Sequence, residues 1–385
     1  MLDHARAMPA EKIALADALG HTLAESIEAR RAQPPFAASA MDGYALRSAD
    51  TPGRLRVAGE AGAGRALDRP LATGECARIF TGAPLPAGSD CVLIQEEAER
   101  EGDIIVAPNV DAGRHVRRAG VDFDEGARLL EPGTVLNGAH LSIAAAAGRA
   151  ELMVARRPII TTLSGGDEIV APGATPGNDQ IFDCASYGVA GFATSWGANA
   201  RVFPPFTDDR ARIAAAMDAA LAASDLVVMI GGASVGDHDH ARPAVESIGG
   251  RLVFSSVALR PGKPTWFAVR GGQIILGLPG NPGSALVCAR LFLRPLVDKM
   301  LGRDAAVSGA FRPARLRATL DANGPRETYL RAAGEIDASG QIWVKPAPNQ
   351  DSSLISIFKS TDVLILREPH QAASTEGEVV RTLSI

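Results

Sequence analysis

The feature that most constrains the fold is a regular alternation of strand-like and helix-like runs between residues 158 and 300. Short apolar runs rich in β-branched residues predict strands, and longer amphipathic runs predict helices between them. In order, they predict a strand at 158–163, a helix at 183–196, a strand at 200–203, a helix at 208–223, a strand at 225–230, a hairpin at 266–269 and 273–278, and a helix at 284–300. Such alternation predicts a parallel sheet covered by helices.

The segments on either side have a different character. Residues 34–132 contain short apolar runs separated by Gly and Pro, which predicts a β-rich inserted module. Residues 1–33 and 133–157 predict the helical and linker parts of a composite N-terminal domain, with a surface helix from Pro9 to Leu19 and another at 138–148. Residues 303–385 predict a small β-barrel-like domain with strands at 314–320, 329–336, 341–345 and 363–367. We therefore expect a multidomain α/β plus β chain with a central three-layer α/β domain at 158–302.

The bulk properties exclude several classes of protein. A length of 385 residues exceeds the ~150 to 250 residues of one hydrophobic core, so several domains are expected. A net charge of -5 gives no global basic field, which argues against a nucleic-acid binder. The four cysteines lie far apart without C-x-x-C spacing, as in reduced thiols of a cytoplasmic protein. We find neither a signal-peptide pattern nor an apolar run of the ~18 residues that a membrane span needs, and expect a soluble cytoplasmic protein.

Three glycine-containing turns follow predicted parallel strands, where α/β sheets hold their ligands. They are Ser164-Gly-Gly-Asp-Glu168, Gly231-Gly-Ala-Ser-Val-Gly236 and Pro279-Gly-Asn-Pro-Gly-Ser284. Glycine lets backbone N–H groups approach an anion, and a helix that begins just afterwards favours negative charge. A single glycine turn is more often only a tight turn, but three on one sheet favour a polyanion-binding rim. Its candidate binding residues are Gly231, Gly232, Ser234, Pro279, Asn281 and Ser284.

A lysine on a stiff loop joins these turns. Lys263 lies in Arg260-Pro-Gly-Lys-Pro264, where the prolines restrict the backbone. A lysine held in this way suits a phosphate or another oxyanion as a point charge, and Arg260 adds a second cation. A solvated surface lysine is the equally weighted alternative.

The acids of the same turns require a cation if a phosphate binds there. Mg²⁺ takes oxygen ligands from one or two carboxylates together with substrate phosphates. The candidate ligands are Asp167, Glu168, Asp237 and Asp239. Zinc is disfavoured, because His238 and His240 at i, i+2 have no cysteine or further histidine to complete a tetrahedral set.

Taken together, seven stretches in order resemble the molybdopterin molybdenumtransferases, the family of MoeA and the gephyrin E domain. They are SAMDGYA (39–45), TGAPLPAGSD (81–90), RRAGVDF (117–123), SGGDEI (164–169), GGASVGDHD (231–239), RPGKP (260–264) and GLPGNPGSAL (277–286). The resemblance implies an elongated homodimer with a molybdopterin-binding α/β domain. It implies insertion of molybdenum from molybdate into adenylylated molybdopterin, with release of AMP in a step that depends on a divalent cation.

The resemblance also assigns site residues. Asp42, Thr81, Asp122, Glu168, Asp239 and Lys263 stand at positions that the family uses in its cleft, with Ser284 close by. The carboxylates would hold the cation, here expected to be Mg²⁺, and Lys263 with Ser284 and Arg260 would receive molybdate. Because Asp42 and Asp122 come from another module than Glu168, the site would lie between domains or cross the dimer. A molybdoenzyme or a molybdopterin adenylyltransferase is the expected protein partner.

Five departures from the family pattern keep other hypotheses open. Polar residues of the family are replaced by Ala37-Ala38, Val121, Gly165, Met229-Ile230 and Cys184-Ala185. Each loss of a hydrogen-bonding partner costs about 1 to 3 kcal/mol in a site built to use it. The retained acids favour an enzyme, whereas the lost polar groups favour a non-catalytic molybdopterin-binding or scaffold paralogue that hands cofactor to a molybdoenzyme. A hydrolase of a nucleotide-like substrate on the same fold is a third hypothesis.

Overall fold

The protein is described by a computed structural model covering residues 1–232 and 240–385. Its α/β domain contains a six-stranded sheet in the order Asn199–Val202, Ile159–Ser164, Leu226–Ile230, Gln273–Leu278, Trp266–Arg270 and Arg251–Phe254. The first four strands pair parallel, and Trp266–Arg270 pairs antiparallel with both of its neighbours. The predicted parallel sheet is thus confirmed, with an antiparallel edge.

Helices cover both faces of this sheet. Along Leu226–Ile230, Leu226, Val228 and Ile230 pack into one core cluster and Val227 and Met229 into another. The first cluster includes residues of the helices Ala185–Ser195, Pro282–Cys288 and Arg294–Met300, the last two joined by a π-helical turn at Ala289–Leu293. The second includes residues of Arg210–Ala222 and Ala241–Ser247. Because side chains alternate across a strand, a strand buried on both faces is apolar throughout, and the layers number three as expected.

The N-terminal part differs from the sequence prediction. Where a helix was expected from Pro9 to Leu19, the chain forms a strand, Ala10–Ala14, followed by a 3₁₀ turn at Leu15–Asp17. The strand pairs antiparallel with Glu151–Ala155, and Ile13 packs against the core cluster that contains Leu152. Helix propensity is a weak preference that this long-range pairing overrides. The second predicted helix forms at Gly138–Ala146, where Asn137 caps its first turn by accepting from His140 N–H at 3.0 Å.

The β-rich module contains a six-stranded sheet. Its strands, in spatial order, are Cys91–Ile94, Gly43–Leu46, Glu75–Ile79, Gly53–Ala61, Ile104–Ala107 and Glu99–Glu101. Short pairings flank this sheet: Ala38–Ser39 with Val116–Arg117, and Ile27–Glu28 with Arg128–Leu130. The prediction of β structure with long loops is confirmed here.

The C-terminal domain is a closed barrel of five strands. Glu327–Ile336, Ile342–Pro346, Arg312–Leu316, Val379–Ser384 and Val363–Arg367 follow one another around it, and the last pairs back with the first. A short strand of the α/β domain, Leu259–Arg260, adds to this barrel by pairing parallel with Glu327 and Thr328. The loop that carries Lys263 therefore begins at the barrel.

The remaining elements are short. They are the 3₁₀ turns Leu2–His4, Ser48–Asp50, Gln95–Glu97 and Ser356–Lys359, the helix Ala305–Ser308, and a parallel pair of Ile169–Val170 with Ile181–Phe182. Arg303 joins the composite N-terminal domain to the α/β domain, since it donates to Thr22 Oγ1 at 2.9 Å and to the carbonyl oxygen of Trp196 at 2.7 Å. No helix among the described residues is long and apolar enough to cross a membrane.

Candidate functional site

The three glycine turns meet at the carboxyl edge of the parallel strands. Gly231 N–H donates to the carbonyl oxygen of Leu278 at 3.2 Å, which joins the second turn to the strand before the third. A Cβ on Gly280 would lie 3.3 Å from the Cα of Gly231, so the second and third turns are in close contact. Gly231 and Gly232 have φ angles of 82° and 64°, which glycine adopts without strain. The structure thus brings together the described parts of the predicted rim.

The third turn and the Lys263 loop form one wall of a cavity of about 590 Å³ between the α/β domain and the barrel. This wall contains five of the predicted site residues: Arg260, Lys263, Pro279, Asn281 and Ser284. The barrel supplies the other wall, which includes Asp321, Asn323, Arg326, Thr328, Tyr329, Gln350, Asp351, Ser352 and Arg367. No residue of this second wall was predicted. The polar run Asn349-Gln-Asp-Ser-Ser353 is the signal in the sequence that could have identified part of it.

Positive charge dominates the cavity. Its lining carries the cations Arg260, Lys263, Arg326 and Arg367 and the acids Asp321 and Asp351. The carboxylate of Asp351 is hydrogen-bonded within its own loop, since it accepts from the Ser353 hydroxyl at 2.7 Å and from Ser353 N–H at 2.9 Å. These bonds lower the pKa of Asp351. The cavity is therefore suited to an oxyanion.

Arg367 is the most deeply placed of these cations. Its side chain is only 2% exposed, and it donates to the carbonyl oxygens of Asp321 and Ala372. Its Nε is buried without a hydrogen-bond partner among the described residues, and burial lowers its pKa. Its hydrogen bonds go to carbonyl oxygens, and Glu378 is a carboxylate that attracts it. A buried cation of this kind adds to the positive charge of the cavity lining.

The acids at the first turn lie apart from this cavity's lining. Asp167 and Glu168 are both exposed, and Asp167 Oδ1 accepts from the backbone N–H of Asp208 at 3.1 Å. Asp237, Asp239, Ser234 and His238 lie outside the described residues. Within residues 1–232 and 240–385, no group of three or more His, Cys, Asp or Glu side chains is arranged to hold a metal ion.

Asp42 and Thr81 form a separate polar pair in the β-rich module. Asp42 Oδ1 accepts from the backbone N–H and the hydroxyl of Thr81, both at 2.7 Å, and these bonds lower the pKa of the carboxyl. Arg78 lies beside them, stacked over the rings of Tyr44 and Phe80. Asp122 is exposed, and its backbone N–H donates to the carbonyl oxygen of Gln33 at 3.0 Å. Neither the pair nor Asp122 lines the 590 Å³ cavity of this chain.

Two of the departures from the family pattern are packed against each other. A Cβ on Gly165 would lie 2.8 Å from Phe206 Cε2 and 3.2 Å from Met229 Cε. Met229 is fully buried, and Ile230 and Ala185 are 2% and 6% exposed. Apolar packing therefore occupies this edge of the sheet.

Known proteins match the chain along almost its whole length. The family models are the MoeA N-terminal region (domain I and II) over residues 1–148, the probable molybdopterin binding domain over 161–299 and the MoeA C-terminal region (domain IV) over 313–385. A molybdopterin molybdenumtransferase of Nostoc sp. is 34% identical over 359 residues, covering 90% of this chain and 82% of the relative. Its namesake in Haemophilus influenzae is 32% identical over 374 residues, covering 96% and 92%.

The fold agrees with these sequence matches. The crystal structure of a molybdopterin biosynthesis MoeA protein from Pyrococcus horikoshii aligns with a TM-score of 0.88 at 28% identity, covering 100% of this chain and 96% of that one. Since a relative at 34% identity spans nine tenths of the chain and the three models follow one another along it, the chain belongs to the MoeA family of molybdopterin molybdenumtransferases.

Proposed function

We propose that the protein inserts molybdenum into adenylylated molybdopterin with release of AMP, as a step of molybdenum cofactor biosynthesis. The observation that carries the proposal is the cationic cavity, where residues of two family motifs, RPGKP and GLPGNPGSAL, face the barrel. The names of the relatives, molybdopterin molybdenumtransferases, support the transfer of molybdenum to molybdopterin.

In this proposal the cavity receives molybdate. Lys263, Arg260 and Arg326 supply positive charge, and the buried Ser284 supplies a hydroxyl. Arg326 Nη1 donates to the carbonyl oxygen of Leu259 at 3.3 Å, which holds it beside the start of the Lys263 loop. Because Arg326 is held in this way, it can stabilise the charge of an oxyanion without reorganising when the anion arrives.

The pterin and its phosphates would bind along the glycine rim. Gly231 holds the second turn beside the third through its bond to Leu278, Gly232 follows it, and Ser234 and Asp239 belong to the same motif. Asp42, Thr81 and Asp122 would contribute from the β-rich module. Because that module does not line the cavity of its own chain, we include a homodimer in the proposal, with these residues facing the partner's rim.

Mg²⁺ is the proposed cation. Asp167 and Glu168 offer exposed carboxylate oxygens after the strand Ile159–Ser164, a donor set that suits Mg²⁺ when substrate phosphates complete the coordination. Asp237 and Asp239 are the further candidates. The cation would supply charge neutralisation at the pyrophosphate. The site of action would be the cytoplasm.

The direct test supplies the purified protein with adenylylated molybdopterin, molybdate and Mg²⁺ and measures AMP release. We expect turnover in the natural protein and little in Asp42→Ala and Glu168→Ala, which serve as controls for contaminating hydrolases. If the natural protein released no more AMP than these variants while still binding the pterin tightly, the enzyme proposal would be wrong.

That result would favour the second candidate, a non-catalytic molybdopterin-binding or scaffold protein. The observation behind it is the apolar packing of Gly165, Phe206 and Met229 at the carboxyl edge of the parallel strands, where the pterin is proposed to bind. Such a protein would hand cofactor to a molybdoenzyme or receive it from a molybdopterin adenylyltransferase. Restoration of an apo-molybdoenzyme by the pterin-loaded protein, without AMP release, is the outcome that this candidate predicts.

A further inference from the structure

A buried arginine organises the barrel wall of the cavity. Arg331 lies in the strand Glu327–Ile336 and is 1% exposed. Its guanidinium forms no ion pair with a carboxylate in the described part of the chain. It donates instead to Gln350 Oε1 at 3.3 Å, to the carbonyl oxygen of Leu354 at 3.3 Å and to that of Asp351 at 2.9 Å. All three acceptors belong to one loop, residues 350–354.

Two further bonds join Gln350, at the start of this loop, to the backbone of Arg331. The backbone N–H of Arg331 donates to Gln350 Oε1 at 2.9 Å, and Gln350 Nε2 donates back to the carbonyl oxygen of Arg331, also at 2.9 Å. A planar guanidinium with several fixed donors is suited to this role, because it defines the positions of several acceptors at once. Burying a cation is costly unless its hydrogen bonds are made, so the loop and the arginine hold each other in place.

The same loop contacts the third glycine turn. Asn281 Nδ2 donates to Ser352 Oγ at 2.8 Å, and Ser284 N–H donates to the carbonyl oxygen of Ser352 at 3.3 Å. Asn281, Ser284 and Ser352 all line the cavity. The spacing between the two walls is therefore fixed where the loop meets the turn.

Gly283 allows this close approach. A Cβ at that position would lie 2.7 Å from Arg331 Nη1 and 2.7 Å from the carbonyl oxygen of Ser352. Real Cβ atoms essentially never show such separations, so any larger residue must push the loop away from the turn. Gly283 and Arg331 thus belong to one contact, although they lie in different domains.

We propose that Arg331 is a positioning residue for the oxyanion cavity. It does not line the cavity, and acts by holding the 350–354 loop against Asn281–Ser284 so that the barrel wall faces Lys263 at a fixed distance. The assignment rests on the proposed function only for the identity of the anion, which is molybdate.

Arg331→Lys tests the role, because lysine keeps the charge but loses the planar fork. Hydrogen exchange should rise in peptides spanning 281–288 and 348–356, with the other barrel strands unchanged. Molybdate affinity, measured by calorimetry without turnover, should fall about tenfold, as expected when a positioned hydrogen-bonding wall is lost. The KM for molybdate should rise by a similar factor with little change in kcat.

Arg381→Lys is the matched control. Arg381 is also in the barrel, but its side chain is 55% exposed and pairs with Glu368 at 2.7 Å, away from the cavity. This variant should show the same hydrogen exchange and the same molybdate affinity as the natural protein.

Gly283→Ala approaches the same contact from the α/β domain and leaves the barrel sequence intact. It should reproduce the local exchange and the affinity loss even if Arg331→Lys does not fold. The proposal would be overturned if both variants showed the hydrogen exchange and the molybdate affinity of the natural protein. A rise in hydrogen exchange across the whole barrel with unchanged molybdate affinity would also overturn it. An enzyme that releases no AMP but shows the local exchange and weaker molybdate binding would refute the proposed reaction and leave the positioning role in place.

Discussion

Asp42 and Thr81 are joined at two points, since one carboxylate oxygen accepts from both the backbone N–H and the hydroxyl of Thr81 at 2.7 Å. The two bonds favour the ionised carboxylate and fix its direction. Thr81 therefore keeps the Asp42 carboxylate ionised and holds it in one orientation. Both effects matter if Asp42 acts on a charged substrate, as proposed.

Thr81→Val should raise the pKa of Asp42 toward its ordinary value of 3.8, because the hydroxyl bond is lost and the backbone bond remains. The lowered pKa means that Asp42 stays ionised to a lower pH in the natural protein, so the difference appears as pH falls below about 4. A carboxyl-carbon NMR titration would measure it. We also expect slower AMP release at neutral pH, where the variant's Asp42 is ionised but less restrained. Thr134→Val, which removes a hydroxyl bonded only to a backbone carbonyl, is the control.

Arg326→Ala should weaken molybdate binding at least tenfold, since a charged hydrogen bond contributes roughly 1.5 to 3 kcal/mol. Calorimetry with molybdate would check this. Arg381→Ala removes an exposed barrel arginine outside the cavity and should bind normally. Equal affinity in the two variants would exclude Arg326 from the anion site.

Glu75 should make the β-rich module sensitive to acid. Hydrogen bonds from Arg69 at 2.7 and 3.1 Å and from Ala72 N–H lower its pKa from 4.5 to about 2. A lowered pKa stabilises the fold above the unfolded value, near 4.5, and this contribution is lost as pH falls toward 2. Urea unfolding at several pH values should show a smaller decrease in stability between pH 4.5 and 2 for Glu75→Gln than for the natural protein. Parallel curves would contradict the assignment.

One thiol should react in the native protein. Cys184 is exposed, although partial burial and the nearby Asp183 raise its pKa. Cys76, Cys91 and Cys288 are buried, and burial raises the pKa of each of these three to about 12. Because thiolates are the reactive form, an aromatic disulfide reagent should modify one cysteine quickly and the others only after unfolding. Cys184→Ser should remove the fast phase, and its persistence would show that another cysteine is accessible.

Gly277→Ala should destabilise the α/β domain strongly. A Cβ at this position would lie 1.9 Å from Trp266 Cε2, and Trp266 is fully buried. Overpacking of this kind costs about 1 to 3 kcal/mol or more. Thermal unfolding would measure it against Gly191→Ala, a helical site with open space around it, where we expect no loss of stability.

The sequence was most informative where burial is complete. Leu226–Ile230 and Gln273–Leu278 are apolar on both faces, so their placement in a covered parallel sheet could be predicted. The helix expected at Pro9 to Leu19 was wrong, because the partner strand Glu151–Ala155 lies more than a hundred residues away and cannot be read from local periodicity. Two short strands, Arg251–Phe254 and Val379–Ser384, were missed for a related reason. Each is a strand because it pairs with neighbouring strands, and that pairing cannot be read from its own few residues.

The candidate site shows the same limit. Glycine turns and Lys263 were found because their chemistry is local. Arg326, Ser352 and Arg331 become relevant only when the barrel packs against the third turn, a contact between residues about seventy positions apart, as in the bond from Asn281 to Ser352. The roles of all the predicted site residues stay predictions, those of Asp42, Lys263 and Ser284 as much as those of Asp122, Glu168 and Asp239.

The short ladder between Leu259–Arg260 and Glu327–Thr328 has a mechanical consequence. The Lys263 loop is fastened at one end to the barrel and continues at the other into Trp266–Arg270, inside the α/β sheet. An outward movement of the barrel would break the hydrogen bonds of this ladder, so the ladder favours a constant spacing of the two cavity walls. If the protein acts as proposed, substrate and product would enter and leave through the opening that this cavity already has to solvent, and the width of that opening would limit what reaches Lys263.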